Sequence, residues 1–209
     1  MNNLARALLI LWPVVFYHAT LINPKFYIPY DIHGFHMPLA DFIAWSLREG
    51  RFPMWDPNPY CGYPIHADIQ AQLFYPPAWL AFLARNITKP GTMLYWLQLE
   101  VVAHMILAGL ATFALARHLK AAIPAALLAG TIYQLGAFFA AQAQHLGAIC
   151  ASAWLPVAWL AVLHLAERWN TRWFVILIAT LALTFLAGFT ASTLVIWSAT
   201  LVLALVTNP

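Results

Sequence analysis

The chain has very few charged residues. Asp, Glu, Lys and Arg make up 8% of its 209 residues, whereas an ordinary soluble domain contains about a quarter. Hydrophobic residues make up 63%, which excludes a typical soluble domain and predicts an integral membrane protein. The formal net charge is only +3, and the few cations are expected to set membrane topology rather than to bind nucleic acid.

Cysteines and known chemical motifs are also scarce. Cys61 and Cys150 are too few for a disulfide framework or a zinc signature, and we expect two free thiols, with a disulfide between them as the alternative. The sequence has no Gly-rich phosphate loop, no HExxH or CxxC motif and no internal repeat. The sequence therefore assigns no metal ligands, and a divalent metal ion stays open as a cofactor.

Apolar runs predict an all-α polytopic membrane protein with about six transmembrane helices. A span needs about 17 to 25 residues, so the run from Trp173 to Val206 is too long for one crossing and is predicted to be a helical hairpin. A cleaved signal peptide is the alternative for the first apolar run. The predicted spans of this single membrane domain are residues 8–22, 93–116, 121–140, 148–166, 173–187 and 190–206.

Cations are distributed unevenly between the two sides of this layout. Positively charged residues favour the cytoplasmic side of a membrane. The amino terminus is therefore predicted to be cytoplasmic, together with the connections that carry most of the cations outside the first loop. The cations on that side are Arg6, Arg117, Lys120, Arg168 and Arg172.

The long polar interruption at residues 23–92 is predicted to be a large extracytoplasmic loop. Residues 38–50 place four apolar side chains on one helical face, which predicts an amphipathic helix on the membrane surface. A second apolar stretch, residues 73–84, is too short to span and is broken by Pro76 and Pro77, so it predicts another interfacial or re-entrant helix. Further prolines between the two predict an ordered, turn-rich segment.

The first loop also concentrates ionisable groups, since it holds five of the seven acidic residues. Carboxylates and imidazoles can take a proton from a hydroxyl, hold a divalent cation or hydrogen-bond a sugar. Asp31 is the most informative, because it closely follows the first span and must stay near the membrane surface; a helix N-cap is its alternative role. Asp41 is expected to be solvated, and Asp56 is expected to form an Asx turn unless it binds substrate.

Two further groups of polar residues lie outside the loop. Glu100 and His104 share one face of a predicted span, and an ionisable pair there is a functional-site hypothesis; a hydrogen-bonded pair between helices is the alternative. Gln142, Gln144 and His145 lie in the next connection on the loop's side. They are either ordinary loop residues or groups that close over the same site.

The loop carries a resemblance to a known family. The segments "PLADFIAWSLREGRFPMWDPNPYCGYP" and "ADIQAQLFYPPAWLAFL", with an Asp shortly after the first span, resemble the amino-terminal part of the YfhO-like membrane proteins of the GT-C superfamily of lipid-linked-sugar glycosyltransferases. The later "TIYQLGAFFAAQAQHLGAICASAWLPVAWLAVLHLAER" and "LALTFLAGFTASTLVIW" are similar to that family's third to sixth spans.

This resemblance implies an inverting transferase of the bacterial plasma (inner) membrane. It implies a polyprenyl-phosphate-linked sugar donor, a cell-envelope acceptor on the outer face and surrounding membrane lipids as partners. Asp31 matches the catalytic acid of the family's first outer loop, acting as general base on the acceptor hydroxyl or as partner of a metal. Expected substrate-binding residues are His33, Arg48, Arg51, Trp55, Asp56, His66, Tyr75 and His145.

Two departures from the family pattern bear on this expectation. Family members are several times longer, so we expect this chain to be an amino-terminal part. Gly188, Phe189 and Thr190 stand where many members have a polar turn, so no acceptor contact is expected there. The alternatives are a membrane transporter that works through Glu100 and His104, or a non-catalytic membrane subunit.

Overall fold

A computed structural model describes residues 2–23, 25–88 and 92–207. Within these residues the chain is helical, with one isolated bridge between Asp56 and Tyr63. The predicted all-α class is therefore confirmed. The helices in chain order are α1 (Asn2–Phe16), α2 (His18–Ile22), α3 (Met37–Arg48), α4 (Ala78–Ile87), α5 (Met93–His118), α6 (Ile123–Leu135), α7 (Ala137–Gln142), α8 (Leu146–Ala153), α9 (Leu155–Glu167), α10 (Thr171–Leu186) and α11 (Thr190–Thr207).

Among the described residues, four helical segments are long and apolar enough to cross a membrane. Side chains such as Leu205 and Val206 of α11 are 65% and 74% exposed, a surface suited to lipid rather than to water. These features are consistent with an integral membrane protein. Two shorter apolar helices are α1 and α10. The four segments are Met93–His118, Ile123–Gln142, Leu146–Glu167 and Thr190–Thr207, the second joining α6 to α7 and the third α8 to α9.

The apolar run from Trp173 to Val206 folds as a helical hairpin, as predicted. Its turn is at Gly188, whose φ of +86° lies in the left-handed region that glycine adopts without steric cost. A Cβ at this position would also collide with the carbonyl oxygen of Ile69. The turn between α10 and α11 therefore packs directly against the long first loop.

The first loop covers one end of the helix bundle, which we call the loop side. The Ile28 amide donates to Gln98 Oε1 of α5 at 2.9 Å. Gln72 Nε2 donates to the carbonyl oxygen of Ala187 at 2.9 Å. These bonds tie the loop to the start of α5 and to the α10–α11 turn.

The opposite end of the bundle, the far side, holds the α5–α6 and α9–α10 connections. His118 Nε2, at the end of α5, lies 3.3 Å from Glu167 Oε1, at the end of α9. Ala5 of α1 packs in one cluster with Phe113 and Ala126, so the start of α1 lies at this end too. The cations predicted to share one side therefore gather at the far side.

The two short helices of the loop form where amphipathic segments were predicted. The helix α3 buries Leu39 and Ile43, and α4 begins after Pro76 and Pro77, because prolines are tolerated only at the start of a helix. The side chain of Asp41, expected to be solvated, is 33% exposed, and it also has a partner that the sequence did not predict. Its Oδ1 accepts a hydrogen bond from Arg85 Nε at 2.7 Å, which joins α3 to α4 through an ion pair whose arginine side chain is only 13% exposed.

Candidate functional site

Asp31 lies at the start of a π-helical turn, Ile32–His36. This turn points Ile32 and His36 into the protein, at 0% and 5% exposure, and leaves the side chain of Asp31 about half exposed. Single π-helical turns of this kind are frequent at functional sites. Asp31 stands at the N-cap position of this turn, but its side chain makes no capping hydrogen bond to the residues that the structure describes.

Asp31 instead pairs with His145, in the connection between α7 and α8. His145 Nε2 lies 3.4 Å from Asp31 Oδ2, and the two side chains are 31% and 51% exposed. His145 Nδ1 lies 2.7 Å from Gln142 Oε1, a contact in which the ring nitrogen donates and the amide oxygen accepts. Gln142 thus holds the ring with Nε2 toward the carboxylate, and protonation of that nitrogen makes the contact an ion pair.

His36 lies beneath this pair in the protein interior. Burial lowers its pKa to about 4, while the nearby carboxylates Asp31 and Asp68 oppose the shift and His145 adds to it. The ring is hydrogen-bonded to the backbone of Gln70. His36 is therefore neutral at pH 7 and supports the wall of the site without adding a charge.

Asp68 completes what we call the loop-side cluster, which consists of Asp31, His36, Asp68 and His145. Its Oδ2 accepts a hydrogen bond from the Tyr63 hydroxyl at 2.7 Å, and its Oδ1 accepts one from the Gln70 amide at 2.8 Å. Burial and the bond to Asp68 raise the pKa of Tyr63 to about 12, so the phenol stays protonated and donates. The carboxylate of Asp68 therefore orders the loop, whereas that of Asp31 is half exposed beside His145.

Two clefts that share Phe42 and Asn58 open in the first loop. The first has a volume of about 730 Å³, and the second about 650 Å³. Both are large enough for part of a lipid or a sugar. Trp45, Arg51, Phe52 and Trp55 line the first, whereas Gly34, Phe35, Asp56, Tyr60 and Tyr63 line the second.

Arg51, Trp55 and Asp56 are thus the predicted binding residues that face the clefts. The Asx turn at Asp56 is confirmed as well, since its Oδ1 accepts from the amide and the side-chain nitrogen of Asn58 at 3.0 and 2.7 Å. Asp56 therefore also has a structural role, because its hydrogen bonds hold a turn of the loop.

Three other predicted binding residues are engaged elsewhere in the loop. The ring of His33 stacks on Tyr27 with centroids 5.0 Å apart. His66 Nδ1 is hydrogen-bonded to the Met54 carbonyl at 2.8 Å. Arg48 pairs with its neighbour Glu49 at 3.3 Å, both well exposed. The structure thus brings His145 to Asp31 but gives these three residues local partners.

Tyr75 does not face either cleft, because its side chain is fully buried at 0% exposure. His104 Nδ1 lies 2.8 Å from the Glu100 carbonyl oxygen and donates to it, so Nε2 accepts from the Tyr75 hydroxyl at 2.6 Å. Trp154 Nε1 donates to the same phenol oxygen at 2.8 Å. We therefore place Tyr75 in the core beneath the loop and not among the groups that face a substrate.

Cys150 joins Glu100 and His104 to form what we call the buried cluster. Its Sγ lies 3.6 Å from Glu100 Oε1 and 3.6 Å from His104 Nδ1. The helical spacing of Glu100 and His104 was visible in the sequence, but nothing there brings Cys150 of α8 to the same point. Cys150 and Cys61 are both free thiols, as expected.

A third group, which we call the far-side cluster, was also missed. Glu167 lies 3.3 Å from His118 Nε2 and 3.9 Å from His164 Nδ1. The spacing of His164 and Glu167, three residues apart on α9, was a signal in the sequence. The third residue, His118 at the end of α5, was not predictable from this spacing.

Comparisons of the chain with protein-family models, with curated proteins and with solved structures gave no match. The function is therefore inferred from the residues and their arrangement.

Proposed function

We propose that the protein is an inverting membrane glycosyltransferase that moves a sugar from a polyprenyl-phosphate carrier to an acceptor at the loop side. The observation that carries this proposal is the half-exposed carboxylate of Asp31, held 3.4 Å from His145 Nε2 on the loop side of the bundle. A carboxylate so placed can meet a substrate whose lipid tail stays in the bilayer. The sequence resemblance to the YfhO-like proteins supports the same reaction.

The proposed topology has six spans, with the loop side outside the cytoplasm of a bacterial cell. The helices α1 and α2 supply the first span, since the Tyr17 amide donates to the Pro13 carbonyl at 3.0 Å and the Leu21 amide to the Tyr17 carbonyl at 3.1 Å. Residues 2–22 then reach about 30 Å at about 1.5 Å per residue. The far-side cations favour a cytoplasmic amino terminus.

In the proposed reaction, Asp31 takes the proton from the acceptor hydroxyl. The acceptor oxygen attacks the anomeric carbon on the face opposite the phosphate, and the bond between that carbon and the phosphate oxygen breaks. The electron pair leaves with the polyprenyl phosphate, so the configuration at the anomeric carbon inverts. His145, held through Nδ1 by Gln142, offers its unprotonated Nε2 as the next site for the proton.

Arg51 is the residue we propose for the donor phosphate. It lines the cleft formed with Trp45, Phe52 and Trp55, where a guanidinium can make charge-assisted hydrogen bonds to phosphate oxygens. The aromatic walls suit the apolar carrier or the face of a sugar ring. Arg48 is the weaker candidate because Glu49 already pairs with it.

Transport through the bundle has less support. It would depend on Glu100 and His104, which are 7% and 5% exposed. Tyr75 and Trp154 bond to each other, and Tyr75 bonds to His104, on the loop side of this pair. That network favours a fixed role in the bundle over a moving charge.

The test measures turnover by the full chain in lipid nanodiscs. Synthetic polyprenyl-monophosphate sugars with labelled hexoses serve as donors, a crude lipid and glycan extract of bacterial envelopes as acceptor, and release of free polyprenyl phosphate as the readout. We expect turnover with one donor, and a loss of about 100-fold or more in Asp31→Asn, because a general base contributes about 10²- to 10⁴-fold.

Glu49→Gln is the matched control, since it neutralises an exposed carboxylate on the same loop. Its rate is expected to stay within about twofold of the wild type. Full activity in Asp31→Asn would contradict the role of Asp31. Failure of the wild type to release polyprenyl phosphate from any donor would contradict the proposed reaction.

A further inference from the structure

The buried cluster brings three different donor atoms together inside the helix bundle. Glu100 and His104 come from α5 and Cys150 from α8. One ligand atom from each of the three residues lies within 4.8 Å of the other two, and the Cys150 sulfur is 3.6 Å from Glu100 Oε1 and from His104 Nδ1. Around a tetrahedral zinc ion, with bonds of about 2.3 Å to sulfur and about 2.0 Å to nitrogen or oxygen, neighbouring ligand atoms lie about 3.3 to 3.6 Å apart. The two distances to the sulfur thus match those between neighbouring ligands of one zinc ion.

One atom of the cluster lacks a protein partner. Glu100 Oε2 is buried and has no hydrogen-bond partner among the described residues. A buried carboxyl oxygen without a partner is costly, and a cation bound by both oxygens of the Glu100 carboxylate would remove that cost. Because α5 is a membrane-spanning candidate, this cost is not relieved by water around the helix.

Charge balance points to a divalent cation. An ionised Glu100 and a Cys150 thiolate together carry two negative charges, and His104 binds a metal as a neutral imidazole. One divalent ion therefore leaves the site with no net charge. A neutral site is the arrangement that a low-dielectric interior tolerates best.

We propose that Glu100, His104 and Cys150 bind one Zn²⁺ ion between α5 and α8. Thiolate and imidazole donors favour zinc over magnesium or calcium, which prefer oxygen ligands. The three protein donors leave a fourth position for water. This inference does not depend on the proposed transfer reaction, because it concerns a different site.

The residues around the cluster suit this role. To bind zinc through Nδ1, His104 gives up its hydrogen bond to the Glu100 carbonyl and carries its ring proton on Nε2. That proton is then donated to the Tyr75 oxygen, which lies 2.6 Å away and also accepts from Trp154 Nε1. The Tyr75 hydroxyl rotates its own proton away from His104, and the phenol oxygen orients the metal-binding ring. The thiol proton of Cys150 is released to solvent when the ion binds.

A zinc ion at this position would clasp the first turns of α8 to α5. Cys150 is in the helix that starts one residue after His145. The clasp would thereby hold the connection that presents His145 to Asp31. Its expected role is structural support for the loop-side cluster.

Cobalt distinguishes this site from other thiol or histidine sites on the chain. Co²⁺ bound to a thiolate has a charge-transfer absorption in the near ultraviolet, whereas Co²⁺ held by histidine and carboxylate alone does not. The far-side cluster of His118, His164 and Glu167 is a potential adventitious metal site, and Cys61 is an exposed thiol. Variants His164→Ala and Cys61→Ser therefore serve as matched controls.

The experiment uses the purified full chain in nanodiscs, stripped with a chelator and then given one equivalent of Co²⁺ or Zn²⁺. We expect one retained metal per chain after dialysis and a thiolate-to-cobalt band in the wild type, in His164→Ala and in Cys61→Ser. The near-isosteric Cys150→Ser should lose the band, and Glu100→Gln should bind Zn²⁺ at least about tenfold more weakly.

Three results would overturn the proposal. The first is a folded wild type that gives no thiolate band. The second is a band that survives in Cys150→Ser and disappears in Cys61→Ser. The third is metal retention that depends on His164 and not on Cys150. Circular dichroism of each variant, compared with the wild type, separates loss of metal binding from loss of folding.

Discussion

The Asp31–His145 pair of the loop-side cluster and the Glu100–His104 pair of the buried cluster use the same chemical groups in opposite surroundings. Each contains a carboxylate and an imidazole. Asp31 and His145 are 51% and 31% exposed in their side chains, whereas Glu100 and His104 are 7% and 5% exposed as residues. An exposed carboxylate can exchange a proton with a substrate, but a buried one needs a permanent partner. Burial, more than residue type, therefore separates the proposed reactive site from the proposed cation site.

The largest change in stability is expected where the buried cluster meets the loop. Tyr75→Phe removes the hydroxyl that bonds His104 Nε2 and Trp154 Nε1. Each buried group left without a partner costs about 1 to 3 kcal/mol, so we expect the free energy of unfolding to fall by about 3 kcal/mol. Unfolding in mixed detergent micelles measures this change.

Tyr60→Phe is the control for Tyr75→Phe, because Tyr60 is 90% exposed and should change stability by less than about 0.5 kcal/mol. Equal effects of the two substitutions would mean that the Tyr75 bonds do not stabilise the bundle. The energetic difference that we infer between buried and exposed groups would then be absent.

His36 offers a pH test, because it is the buried imidazole of the loop-side cluster, beneath the exposed pair of Asp31 and His145. Burial lowers its folded-state pKa to about 4, below the unfolded value of about 6.5. As the pH falls from 6.5 toward 4, the unfolded chain binds a proton first, so stability present above pH 6.5 is lost. We expect this residue to contribute a loss on the order of 2 kcal/mol between pH 7 and 4.5.

Thermal unfolding at a series of pH values measures this loss. His36→Gln should show a shallower decline over the same range, while the other groups near His36, namely Asp31, Asp68 and His145, are present in both proteins. Identical pH profiles for the two proteins would show that His36 is not held neutral by burial.

The smallest effects are expected at two ion pairs of the loop. Asp41→Asn breaks a partly buried pair with Arg85, whereas Glu49→Gln breaks an exposed pair with Arg48. We expect a loss of about 1 kcal/mol for the first and less than about 0.5 kcal/mol for the second, because solvent screens exposed charges. Chemical denaturation of both variants checks the order. A larger loss of stability in Glu49→Gln than in Asp41→Asn would contradict the expected dependence on burial.

The helical class, the α10–α11 hairpin and the two loop helices were predictable from the sequence. They depend on local patterns: the length of apolar runs, helical periodicity, and the positions of prolines and Gly188. The Asx turn at Asp56 was predictable for the same reason, since its hydrogen bonds reach only to Asn58. The spans at α1 and α10 stay predictions, because those helices are shorter than the four membrane-spanning candidates.

The tertiary contacts of the site residues were much harder to predict from the sequence. Asp31 and His145 could each be named as site residues, but their pairing depends on how the loop lies over the α7–α8 connection. Cys150 reaches Glu100 only through packing of α8 on α5, and Arg85 reaches Asp41 only because α4 packs on α3. Contacts of this kind leave no periodic pattern in the sequence. The burial of Tyr75 was also not predictable from the sequence, in which it is an aromatic residue followed by two prolines.

The most direct test of the central claim is a double-mutant cycle at the loop-side pair. Turnover with the labelled polyprenyl-phosphate donor is measured for the wild type, Asp31→Asn, His145→Ala and the double variant, all folded in nanodiscs. If His145 acts through Asp31, the His145→Ala rate falls about tenfold or more, and the double variant is no slower than Asp31→Asn. Independent losses that multiply, or a His145→Ala rate equal to the wild type, would contradict a paired site at Asp31.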